Sequence, residues 1–71
     1  MRLVAIETEN GLLFRGENAH VVERITNFCC TDDDICVVPG NALFSVFPKL
    51  TRAGYSVGVL NPFVFIPQNK Y

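Results

Sequence analysis

Few side chains in this 71-residue chain have the chemistry to catalyse, ligate or hold anions. His20 is the only histidine, and Glu23 follows it at the three-residue spacing that puts two side chains on one helical face. An imidazole beside a carboxylate is an acid/base pair, but proton transfer also needs a nucleophile or a substrate pocket within reach. No Gly-x-Ser-x-Gly, His-Glu-x-x-His or glycine-rich phosphate loop supplies one. The expectation is a surface histidine paired with a neighbour, and no catalytic residue.

Cys29, Cys30 and Cys36 cannot all pair, and adjacent cysteines do not bridge each other without unusual backbone geometry. This usage suits a reducing compartment and places the chain in the cytoplasm. With no Cys-x-x-Cys and one histidine, a closed tetrahedral zinc site would have to borrow carboxylates in an unfamiliar spacing. The cysteines therefore read as small, half-buried apolar groups, with no metal and no cofactor. Asp32, Asp33 and Asp34 are consecutive, so their carboxylates diverge. The alternating spacing and the glycine of a calcium loop are missing, and a solvated turn is expected.

Arg2, Arg15, Lys49 and Arg52 are the candidate anion contacts. With a formal charge of -1 and a pI near 5.6, the chain has no electrostatic pull toward a polyanion. Two or three neutralised phosphates give weak, strongly salt-sensitive binding. The residues nominated for it are Asn10 and Gly11 at a hairpin turn, Arg15, and Lys49 and Arg52 on one helical face. Six phenylalanines point the other way. In so small a domain they exceed what a thin core easily hides, and surplus apolar surface marks a protein partner or self-association. No membrane partner is expected. The longest apolar run is broken by Asn61 and Pro62, and residues 1–11 carry no signal-peptide pattern.

These side chains need a scaffold, and 49% hydrophobic against 18% charged residues is the balance of a folded globular domain, here a single one over residues 1–71. Leu3–Ile6 and Leu12–Phe14 flank a polar link ending in Asn-Gly, which predicts an antiparallel hairpin. Ala19, Val22, Ile25 and Phe28 or Cys29 then recur three to four apart, predicting an amphipathic helix from Glu17 to about Phe28. Ile35–Val38 is an unbroken apolar run, as in a strand covered on both faces.

Pro39 and Gly40 stop that strand, and Asn41 is placed to cap a helix with Leu43, Phe44, Phe47 and Leu50 on its inner side. Pro48 predicts a kink or a break there. Gly54 suits a left-handed cap, and Tyr55–Leu60 reads as another strand. The predicted strand, helix and strand over residues 36–60 form a parallel crossover with the two strands side by side. Phe63–Ile66, between Pro62 and Pro67, is a short edge strand or an extended tail. The fold class is α/β, as a two-layer α+β arrangement. A small mixed sheet in the order ββαβαβ, with a possible last strand, carries two helices on one face.

Glu17, Asn18 and Ala19 opening the first helix, then Cys36, Pro39 and Ala42, then Lys49, Leu50, Gly54, Tyr55 and Val57, resemble the N-terminal, mismatch-recognition domain of the MutS family. The likeness covers residues 3 to 61 and is continuous in spacing from Cys36 to Val59. It implies this fold and a non-catalytic binding module in a nucleic-acid-associated setting. A version this short suits a phage or mobile-element protein. The family's mismatch contact is a Phe-x-Glu on the hairpin, and Gly11, Leu12 and Leu13 stand in its place. Neither the stacking ring nor the carboxylate is present, so the likeness does not carry mismatch reading with it.

Overall fold

A computed structural model of the chain describes residues 1–28 and 30–61. Two strands, β1 (Arg2–Thr8) and β2 (Gly11–Arg15), lead into α1 (Glu17–Thr26). Next come β3 (Ile35–Pro39), a 3-10 turn (Gly40–Ala42), α2 (Leu43–Arg52) and β4 (Ser56–Leu60). The sheet is mixed, in the order β3-β2-β1-β4, and both helices pack on one face of it. The predicted strand at Phe63–Ile66 lies outside the described residues.

The hairpin turns on Glu9 and Asn10 rather than on the Asn-Gly pair. Thr8 Oγ1 accepts the backbone N–H groups of Asn10 and Gly11, both at 3.2 Å, and donates to the Gly11 carbonyl at 3.1 Å. Gly11 instead begins β2, at φ 149°. A Cβ there would press on the Val38 carbonyl and come within 2.8 Å of Gly40 N, so glycine is required by the passage of β3.

Helix α1 buries Ala19, Val22 and Thr26, the stripe that a 3.6-residue period dictates. Thr26 satisfies its hydroxyl by donating to the Val22 carbonyl at 2.6 Å. The helix ends two residues before Phe28, because Asn27 takes a left-handed conformation (φ 72°) and returns its N–H to the Glu23 carbonyl. Asparagine is the residue other than glycine that enters this region most readily.

Three expectations around α2 are corrected. Asn41 makes no capping bond, since the 3-10 turn leads straight into the helix. The inner stripe is Leu43, Val46, Phe47 and Leu50, while Phe44 is 88% exposed; it stands about 100° around the helix from Leu43, off the stripe. And of the kink or break expected at Pro48 the break does not occur: α2 continues as one helix through the proline, which lies on the exposed side where the missing hydrogen bond is tolerated. Its end is as predicted. Gly54 sits at φ 91°, with Tyr55 N–H to the Leu50 carbonyl and Gly54 N–H to that of Thr51, both at 3.0 Å.

The main correction concerns strand order. β3 and β4 run in the same direction with a helix between them, but they are not neighbours: they form the two edges of the sheet, with the hairpin between. β2 takes β3 as an antiparallel partner (Phe14 opposite Cys36), and the free flank of β1 takes β4 in parallel (Leu3 opposite Val57). As an edge strand, β3 is covered on one face only: Cys36 and Val38 are buried, Val37 is 45% exposed. Leu3, Ala5, Leu12, Phe14, Cys36 and Val38 from the sheet meet Ala19, Val22, Val46 and Leu50 from the helices to make the core.

Among the described residues no helix is long and apolar enough to cross a membrane.

Candidate functional site

The five residues nominated as anion contacts do not converge. Asn10 and Gly11 lie at the hairpin turn, where the Asn10 carbonyl accepts Gly40 N–H at 2.9 Å, so α2 starts at that end of the sheet. Lys49 and Arg52 are exposed in the last turn of α2, which delivers the chain to Ser56 beside Met1. Arg15 pairs with Ile35 at that same far end, separated from the hairpin turn by the length of β2, about 15 Å. Gly11 has a packing role, and the cations are divided between a helix and the sheet.

Alternation along the strands assigns the open face. Leu3 and Ala5 point to the helices, so Arg2, Val4 and Ile6 point away; Leu12 and Phe14 point in, so Leu13 and Arg15 point away. Directly paired residues share a face. The register therefore lines up Val37, Leu13, Ile6 and Leu60 in one row across all four strands. Val4 and Ile35 extend it sideways. Val37, Leu60 and Val4 are 45%, 44% and 42% exposed, and Ile6, Leu13 and Ile35 are partly covered. A shallow cavity of about 150 Å³ lies between Val4, Ile6, Leu13, Arg15, Asn18 and Leu60. The Arg2 guanidinium lies across Gly58, where a Cβ would stand 2.8 Å from Nη2. The face is apolar, with Arg2 and Arg15 near one end. Among the phenylalanines proposed as surplus, Phe14 is fully buried, Phe28 and Phe47 pack partly against the core, and Phe44 alone of those described stands out. Phe63 and Phe65 lie outside the described residues.

A second cluster forms on the helical layer. His20 and Glu23 share a face of α1, as their spacing requires, with Nδ1 3.7 Å from Oε1. The chain after α1 folds back onto them. Cys30 N–H donates to Glu23 Oε2 at 3.1 Å, and Cys30 Sγ lies 3.8 Å from His20 Nδ1. The turn after it is built by Thr31, whose hydroxyl accepts the N–H groups of Asp33 and Ile35. Asp34, left-handed at φ 59°, passes its carbonyl to Gly16 N–H at 2.9 Å and its carboxylate to His20 Nε2 at 2.9 Å. The turn is the one expected, but Asp34 is engaged rather than merely solvated. Sequence spacing found Glu23; Cys30 and Asp34 come from loop closure, which local spacing does not encode.

The charges in this cluster follow from their partners. The Cys30 N–H holds the Glu23 carboxyl below its ordinary range. Desolvation, followed by the Glu23 carboxylate, pushes the Cys30 thiol up to about 11. His20 Nε2 lies in hydrogen-bond distance of Asp34; in the neutral tautomer that carries its proton on Nε2, Nδ1 keeps a lone pair facing Cys30 and Glu23. One nitrogen, one oxygen and one sulfur donor lie within 4.8 Å of one another.

Neither the models of known protein families nor the curated proteins include a match to this chain.

Proposed function

We propose that this protein is a non-catalytic binding module that associates through its open sheet face, with a second copy of the chain as the partner. The observation that carries this reading is the apolar row Val37–Leu13–Ile6–Leu60 spanning the sheet. A two-fold axis lying between the two sheets, parallel to the strands, lays Val37 of one copy over Leu60 of the other and Leu13 over Ile6, so the row is complementary to itself, as an isologous contact requires. Two such sheets pack about 10 Å apart with their side chains interdigitated. The small net charge of -1 offers little repulsion between copies. A cytoplasmic setting goes with this reading, supported by the odd cysteine count.

The test is the mass in solution across a dilution series, by light scattering or sedimentation. Twice the chain mass at high concentration, falling to one on dilution, supports the reading; one chain mass throughout overturns it.

The nucleic-acid-associated reading that accompanies the MutS resemblance is the second proposal. It is favoured by Arg2 and Arg15 sharing the open face near one end. Low-salt titration with single-stranded, duplex and mismatched DNA tests it by amide shifts. Shifts at Arg2 and Arg15, with or without Asn10, Gly11, Lys49 and Arg52, that fade as salt is added support it; no shifts remove it.

A further inference from the structure

We propose that His20 Nδ1, Glu23 Oε1 and Cys30 Sγ form a zinc site, with Asp34 as the outer carboxylate that orients the imidazole. Zn²⁺ bound to nitrogen or oxygen at about 2.0–2.2 Å and to sulfur at about 2.3 Å, at tetrahedral angles, sets its ligand atoms roughly 3.4–3.6 Å apart. The nitrogen–sulfur separation is 3.8 Å and the nitrogen–oxygen separation 3.7 Å. A few tenths of an ångström of side-chain rotation closes both. The third separation, within 4.8 Å, closes by turning Cys30 about χ1.

The donors are also held by other groups, which distinguishes a site from a chance approach. Glu23 Oε2 is fixed by the Cys30 N–H, which leaves Oε1 as the oxygen facing the histidine. With Nε2–H donating to the Asp34 carboxylate, the ring presents its Nδ1 lone pair inward, the carboxylate–histidine arrangement by which metal sites fix their ring tautomer. Imidazole, carboxylate and thiolate together suit zinc rather than calcium or magnesium, which take oxygen alone.

Binding is balanced by one proton. The thiol S–H bond breaks, a Zn–S bond forms, and the proton leaves to solvent; no electron is transferred. Three protein donors leave a fourth position for water. The cluster lies in the helical layer, apart from the open sheet face, and the inference is independent of the association proposed above.

The experiment is a Co²⁺ titration of the reduced full chain, followed by displacement with Zn²⁺. A visible d–d band and a near-ultraviolet thiolate-to-cobalt band that saturate at one equivalent and vanish on adding Zn²⁺ are expected. Cys30→Ser removes the thiolate band, and Cys29→Ser retains it. Asp34→Asn and His20→Ala each weaken Zn²⁺ binding about 10- to 100-fold, read by chelator competition on protein whose metal-free circular dichroism matches that of the parent. Absence of the thiolate band in the parent, its survival in Cys30→Ser, its loss in Cys29→Ser, or unchanged Zn²⁺ affinity in His20→Ala overturns the proposal. Unchanged affinity in Asp34→Asn alone removes the positioning role given to Asp34.

Discussion

Glu23 serves two neighbours at once, accepting from the Cys30 backbone with one oxygen and facing His20 with the other. Because the folded state lowers its pKa, its contribution to stability is present above the unfolded value of about 4.5 and is lost as pH falls through the lowered folded value. Denaturant melts of the parent and of Glu23→Gln from neutral to acid pH should show a stability difference that shrinks below pH 4.5; a difference constant with pH would contradict this. Gly11 is the other residue with a single-atom consequence. Gly11→Ala keeps the polarity but sets a methyl group against the Val38 carbonyl and Gly40 N, at a φ that alanine rarely adopts. The expected loss is on the order of 1–3 kcal/mol in urea denaturation. Only half of each story is visible in the sequence. The spacing of His20 and Glu23 states itself, whereas the need for glycine at position 11 arises from a strand that enters more than twenty residues later.

At the level of elements, most of the reading from sequence holds because each element is governed by short-range rules. Apolar period placed α1, Pro39 and Gly40 marked the corner, and Gly54 marked the end of α2. The discrepancies occur where a local rule meets a neighbour. Phe44 looked like a core residue beside Leu43, but a stripe only four residues wide had room for Val46 instead. Pro48 looked like a break, but the helix already has a turn of 3-10 structure behind it and packing through Val46 and Leu50 on either side. Its missing hydrogen bond to the Phe44 carbonyl remains a local cost. Pro48→Ala should restore it and raise stability by up to about 3 kcal/mol, measured by thermal or denaturant melting; a fall in stability would show that proline holds the helix in a bend the core requires.

For the whole molecule, strand order was the feature least legible from sequence, since a parallel pair with a helix between can be adjacent or spread to the two edges without any change in the local pattern. Edge placement of β3 and β4 is what leaves the apolar row continuous from Val37 to Leu60. Leu13 sits in the middle of that row and outside the core, so Leu13→Lys should abolish the concentration-dependent mass while leaving the far-ultraviolet circular dichroism unchanged. A variant that still doubles its mass would move the contact elsewhere. The pairing of the first strand with the last also governs how the chain is made. During synthesis β1 can take β2 at once, but its other flank waits, unpaired, until Ser56 to Leu60 have left the ribosome. Until then the growing sheet carries an exposed edge at what becomes its interior, and a chain cut short before Ser56 yields three antiparallel strands and two helices with that edge left open.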